Sequence, residues 1–172
     1  YAWVEAEKRG LVRSDDGGST FTTPVPLAPG SPYLSFGEIE LASLGANDVR
    51  AVFTAFDIYF GGAELAYAGS TSGGESFSEP VLLSSIDNFN SYAPDVAAGW
   101  GIAVAWSDFD TWTGVTEIQV RVSTDGGATF AFSDDGLHAD SHALAVAPGN
   151  PSIVYIGNDG GIWKSTDAAE TW

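Results

Sequence analysis

The chain has 172 residues, 44% of them hydrophobic and 13% aromatic, with no cysteine and a formal net charge of −17 from 23 acidic and 6 basic side chains. That is enough apolar material for one domain with a real core. It excludes a disulfide-stapled framework, and the charge argues against binding nucleic acid through phosphate neutralisation.

No apolar run is long enough to span a membrane, and no signal peptide is visible. The 21 glycines and 8 prolines are spread along the chain, as turn-rich all-β proteins require. The acidic excess fits a solvated surface or a saline, cation-rich setting, with calcium binding as a second reading.

In chain order, Tyr1 to Val12 predicts one or two strands, and Thr22 to Pro32 a Pro-rich link. Ser35 to Leu44 starts the next unit, Arg50 to Phe56 is a clear strand, and Ile58 to Phe60 and Ala63 to Ala68 flank a Gly61-Gly62 turn. Ser78 to Leu83 is an outer strand. Asp95 to Ala98 begins the following unit in the innermost place, and Ile102 to Trp106 follows as its second strand. Ser107 to Gly114 reads as an acidic, aromatic loop, and Glu117 to Val122 alternates like a third strand. The last unit has strands at His142 to Ala147, Ser152 to Gly157 and Ile162 to Lys164. Nothing reads as a long amphipathic helix.

Between these strands one motif recurs: Ser, any residue, Asp, any residue, Gly, any residue, Thr or Ser, then an aromatic. Its copies are Ser14 to Phe21, Ser123 to Phe130, Ser165 to Trp172 with Ala169 in the Gly place, and a worn Ser70 to Phe77 with Ser72 in the Asp place. The first serines stand at 14, 70, 123 and 165, a repeat of structural units. Ser and Asp side chains accept hydrogen bonds from nearby N–H groups and close a tight turn, Gly supplies positive φ, and the aromatic anchors the turn. Each copy therefore predicts a hairpin turn that holds the fold.

The motif resembles the Asp-box (BNR) repeat of the sialidase-like β-propellers, over essentially the whole chain. The resemblance implies an all-β fold, a single domain over residues 1–172, built of four-stranded antiparallel blades in which the box joins the two outer strands. About three to four blades are present, fewer than a closed ring holds comfortably, so the expectation is a partial propeller completed by further blades or by self-association.

In this family, retaining sialidases bind the substrate carboxylate with three arginines and use a Tyr, a Glu and an Asp. Only Arg9, Arg13, Arg50 and Arg121 exist here, and Arg13 and Arg121 stand just before boxes, one and two residues ahead of Ser14 and Ser123. The arginine trio is not complete in this chain.

Three constellations remain as candidate sites. Asp95 with Asp108 or Asp110 offers a carboxylate pair of the type used in glycoside hydrolysis, or simply turn acids. His138, Asp140 and His142, at i, i+2 and i+4, would point to one side of an extended segment and could hold a divalent metal, with Asn158 and Asp159 one hairpin later as further ligands. The run from His138 to Trp172 also resembles a motif of secreted bacterial Asp-box propellers. Trp112 is the aromatic expected to be exposed, as a carbohydrate platform, whereas Trp106 is expected in the core.

The leading reading is a secreted, extracellular or cell-surface sialidase-like module. Its ligand-binding residues would be Asp95, Asp108, Trp112, Asn158 and Asp159, and its partner a carbohydrate or an extracellular protein. The alternatives are a glycoside hydrolase whose site is completed by missing blades, and a structural or adhesion module.

Overall fold

The computed structural model describes residues 2–5, 8–28, 34–56, 62–87, 89–99, 101–133, 136–138, 141–147, 149–150 and 152–172. Among these the secondary structure is strand and turn, with no helix.

Four antiparallel sheets follow one another along the chain. The first holds β1 (Ala2–Glu5), β2 (Lys8–Leu11) and β3 (Val25–Pro26) in that order. The second holds β4 (Leu34–Gly45), β5 (Asp48–Phe56), β6 (Ala63–Ser70) and β7 (Val81–Leu82). The third holds β8 (Phe89–Ala98), β9 (Ile102–Asp110), β10 (Thr116–Ser123) and β11 (Ala131–Phe132). The fourth holds β12 (Ser141–Val146), β13 (Val154–Asn158) and β14 (Gly161–Ser165). Strands pair only with their sequence neighbours within a sheet, so each sheet is a simple meander.

The sheets stack through three apolar cores, and the period of two in the strands creates them. In β5, Ala51, Phe53 and Ala55 enter the core shared with the first sheet, while Val52 enters the core shared with the third. In β6, Ala66 and Ala68 face the first core, and Leu65 and Tyr67 the second. In β9, Ile102, Val104 and Trp106 face the second core, and Ala103 and Ala105 the third. Middle strands are thus buried on both faces. In β6 and β9, alanines on one face and larger side chains on the other let successive sheets lie closely face to face. Trp106 is 1% exposed, as expected of a core residue.

In the first three sheets the recurring motif forms the turn between the last two strands, its fourth copy follows β14, and its hydrogen bonds repeat in all four. The Gly18, Gly74, Gly127 and Ala169 N–H groups donate to the Oγ of Ser14, Ser70, Ser123 and Ser165 at 2.7–2.9 Å. Asp16, Asp125 and Asp167 each accept from the N–H of the Thr four residues on, at 2.9 Å. In the worn copy Ser72 Oγ takes that place, accepting from Ser76 N–H at 3.1 Å. Phe77, Phe130 and Trp172 each pack into the core shared with the preceding sheet. Phe21, in the first sheet, is 49% exposed.

Two sequence expectations shift. Thr22 to Pro32 is not only a link, because Val25–Pro26 pairs with Gly10–Leu11. Asp108 and Asp110 lie on strand β9 rather than in a loop, because Asp108 pairs with Ser91 on one side and Glu117 on the other. The turn is confined to residues 111–115. The expected strand and turn at Ile58 to Gly61 lie outside the described residues.

Candidate functional site

The meander sorts the loops between two ends. The motif turns sit at one end of the stack, together with the turns between the first and second strands of each sheet. The opposite end carries the turns between second and third strands and the crossings to the next sheet. Trp112, His138, His142 and Asp159 all belong to this second end.

Trp112 is 86% exposed on a turn that is held from inside. Asp110 Oδ1 accepts from Trp112 N–H at 2.8 Å and its Oδ2 from Thr113 Oγ1 at 2.6 Å. Gly114 N–H donates to the Asp110 carbonyl, and Asp110 N–H to the Val115 carbonyl, both at 2.9 Å. The Thr113 hydroxyl and then the Trp112 N–H hold the Asp110 carboxyl below its usual range, so it remains an acceptor. Nearby, Tyr92 is half-exposed, with its Oη 3.4 Å from Thr116 Oγ1.

The innermost strands of the second, third and fourth sheets are irregular toward this end. The register shifts between Ser35 and Ile39 in β4, between Tyr92 and Asp95 in β8, and between Ser141 and Ala143 in β12. Ala93 in the second bulge takes φ 50°, a left-handed value that a non-glycine residue rarely adopts. Bulges re-aim side chains and are common beside functional sites. The third of them contains His142. His142 Nε2 lies 2.7 Å from Asp159 Oδ1. The Cβ of His138 lies over Gly160, where any side chain would come within 2.7 Å of it. Asp140 lies outside the described residues. Among the described residues, no three His, Asp or Glu side chains converge as a metal-ligand group.

Two other candidates are engaged in the scaffold. Asn158 is buried, donates from Nδ2 to the His138 carbonyl at 3.0 Å, and accepts at Oδ1 from Gly160 N–H and Trp163 Nε1. Asp95 Oδ2 accepts from Leu144 N–H, tying the innermost strands of the third and fourth sheets together. Its charge, after burial, helps raise the Glu40 carboxyl on β4, with Glu38 adding to it, so the innermost strands present an acidic wall.

Asp108 is half-buried and accepts from Ser91 Oγ at 2.8 Å. Burial raises its carboxyl, the Ser91 bond opposes this, and the charges of Asp87 and Glu117 add to the rise. Across the gap between sheets stands a carboxylate that the loop-centred reading overlooked. Glu64, on β6, is 1% exposed. Burial pushes its carboxyl up to about 7; the Ser84 hydroxyl lowers it, and the charges of Asp87 and Asp108 raise it. A charged residue inside the buried run Ala63-Glu64-Leu65-Ala66-Tyr67 was the signal that could have found it.

The described arginine side chains are committed to structure. Arg13 Nη1 donates to the Gly73 carbonyl at 3.1 Å and Nη2 to Glu75 at 3.3 Å, joining two motif turns. Arg50 Nη1 donates to the Gly126 carbonyl and to Tyr67 Oη, both at 2.8 Å, and the guanidinium pairs with Asp48. Arg121 lies 3.8 Å over the Phe132 ring. None of these stands in an open anion-binding group.

No family model matches the sequence, and no curated protein matches it. Solved structures do share the fold. A Penicillium chrysogenum α-L-arabinanase complexed with arabinobiose superposes with a TM-score of 0.62 at 14% identity, over 95% of this chain and 54% of its own. A Trypanosoma rangeli sialidase in complex with 2,3-difluorosialic acid gives 0.61 at 16% identity, over 96% and 32%. YCF48 bound to a D1 peptide gives 0.53 at 15% identity, over 86% and 45%.

The chain folds as a β-propeller. Its four sheets are blades, and the chain spans about half or less of the length of these neighbours. Identities this low establish the architecture, while activity must be argued from the site.

Proposed function

We propose that this propeller segment is a glycan-binding module whose contact surface is the blade end opposite the motif turns, centred on Trp112. The observation that carries the reading is an indole 86% exposed on a turn pinned by Asp110. An apolar ring that faces water on a backbone turn already held in place costs little backbone ordering when it stacks on a sugar face. Asp110, at the base of the same turn, is an acceptor of the kind that suits sugar hydroxyls. Two structural neighbours are named for glycan chemistry, an arabinanase with arabinobiose and a sialidase with a sialic acid derivative.

The charge pattern favours a neutral glycan. The innermost strands are acidic, the net charge is −17, and the described arginines are tied into the scaffold. An anionic sugar would meet repulsion without a bidentate partner. We read the motif turns as Asp boxes, and we place the module outside the cell, where polymeric glycans are encountered.

Affinity electrophoresis through gels containing arabinan, with calorimetric titrations of arabinobiose and sialic acid, tests this reading. Arabinan retardation that Trp112→Ala weakens about tenfold, a loss of about 1.4 kcal/mol, with an unchanged melting temperature, supports it. Preference for sialic acid would overturn the neutral-glycan reading. Equal binding by the variant would remove Trp112 from the site. The neighbour bound to a peptide supplies the second reading, a protein ligand on the same end, which is favoured if no glycan binds.

A further inference from the structure

We propose that Glu64 is a proton-operated latch on the seam between the second and third blades. Protonated, it holds the crossing from β7 to β8 against the start of β6; on losing its proton it releases that crossing. The latch acts whether or not the loop end binds a glycan.

The carboxyl sits where water cannot solvate its charge. Glu64 is 1% exposed, inside a strand buried on both faces. One oxygen, Oε2, accepts from Ser84 Oγ at 2.6 Å, and the other is fully buried. Its partner on β5 is Ala55, which offers no charge. Two carboxylates bear on it from the other sides, Asp87 on the crossing and Asp108 on β9, and both disfavour the anion. The Ser84 hydroxyl and the Asp87 N–H favour it, and no Lys or Arg is among the groups that shift it. A buried carboxylate without a cation is costly, and the neutral acid avoids that cost.

The same residues carry the seam. Leu65 N–H donates to Ser84 Oγ and Leu83 N–H to the Leu65 carbonyl, both at 2.8 Å, and Ala63 N–H donates to Asn90 Oδ1 at 3.1 Å. Asp87 Oδ1 accepts from Phe89 N–H at 2.7 Å, and Phe89 pairs with Asp110, whose carboxyl holds the Trp112 turn. An anion at position 64 repels Asp87 and Asp108 at once. Strands β6 and β9 are paired on both sides, so the crossing is the part that gives way and admits water.

Burial pushes Glu64 up to about 7 in the closed seam, from an ordinary value near 4.5 once the seam is open and hydrated. The proton's support for the closed seam is therefore complete below about pH 4.5, and it is lost as pH rises through about 7. Between pH 6 and 8 the opened fraction should grow about tenfold.

The test is amide exchange followed by NMR at pH 6, 7 and 8, corrected for the intrinsic rise of exchange with pH. The amides of Ala63, Leu65 and Leu83 should open about tenfold more at pH 8 than at pH 6 in the wild type. Glu64→Gln, neutral and of the same shape, should show no rise. Asp108→Asn keeps Glu64 and lifts one repulsion, so its rise should be smaller. If Glu64→Gln does not fold, Asp108→Asn and a carbon-13 titration of the wild-type Glu64 carboxyl decide. A midpoint near 7 supports the latch, and one near 4.5 overturns it. A wild type without the rise overturns it too, as does the full rise in Glu64→Gln. So would seam amides that exchange at pH 8 no faster than the mid-strand amides of β5 and β9, because the seam would then open only when the blades unfold.

Discussion

Ser123 shows how much a single hydroxyl does in each motif turn. It is 2% exposed, accepts from Gly127 N–H at 2.8 Å and donates to Asp125 Oδ1 at 2.8 Å. Ser123→Ala would leave a buried N–H open, a loss of about 1–3 kcal/mol measurable by denaturant titration. The aspartates beside these serines set the acid limit of the fold. Asp16 is held at about 2, chiefly by the N–H and hydroxyl of Thr20, and Asp167 at about 2 by the hydroxyls of Ser165 and Thr171. Asp125 is lowered further in the same direction, by Thr129 first. A carboxyl whose folded value lies below its unfolded value contributes stability that is complete above the unfolded value, near 4. That contribution is lost as pH falls toward 2. Thermal melts from pH 5 to 2 should therefore show a steep decline in melting temperature. Asp125→Asn should start lower and decline less, and a parallel decline would show that the motif aspartates do not set the acid limit.

The motif turn as an element explains both its sequence rule and its exceptions. Gly17-Gly18, Gly73-Gly74 and Gly126-Gly127 all take positive φ, and the last copy forces Ala168 and Ala169 to 61° and 68°. Left-handed alanine is strained by roughly 1–2 kcal/mol, while glycine gives back some unfolded-state entropy. Ala168→Gly should then stabilise the protein by about 0.5–1 kcal/mol, read by denaturant titration, and no gain would mean that the turn relaxes around alanine. Gly127→Ala should do the reverse, because its methyl would fall 2.3–2.4 Å from the Tyr67 ring and hydroxyl. These turns were legible in the sequence because their hydrogen bonds are local, spanning four residues or fewer. The middle strands were legible because burial on alternate faces writes itself as alternation. Asp108 was misplaced into a loop because its strand character comes from pairing with Ser91 and Glu117, partners 17 and nine residues away. The bulge at His142 was illegible for the same reason, since a register shift is a property of two strands. Glu64 stayed hidden because its partners, Ser84, Asp87 and Asp108, come from a crossing and the next blade.

At the scale of the molecule, four blades share three cores, so blade two and blade three each pack on two neighbours while the first and last blades pack on one. Within such a stack, stability divides approximately into contributions from each sheet and from each contact between neighbours. Cross-blade ties are placed to couple neighbours: Arg13 to Gly73, Arg50 to Gly126, and Asp95 to Leu144. Native-state hydrogen exchange should accordingly be slowest in β5, β6 and β9, and faster in the first and fourth sheets. Ile156, fully buried in the core between blades three and four, gives the sharper test. Ile156→Ala should cost about 2–5 kcal/mol in that core. If coupling runs only between neighbours, exchange should accelerate across β12, β13 and β14, less in β9 and β10, and not in β5 and β6. Acceleration by the same factor in all four blades would show that the ties make the stack a single cooperative unit. The three cores would then open together, because the ties hold each blade to the next more strongly than each sheet holds itself.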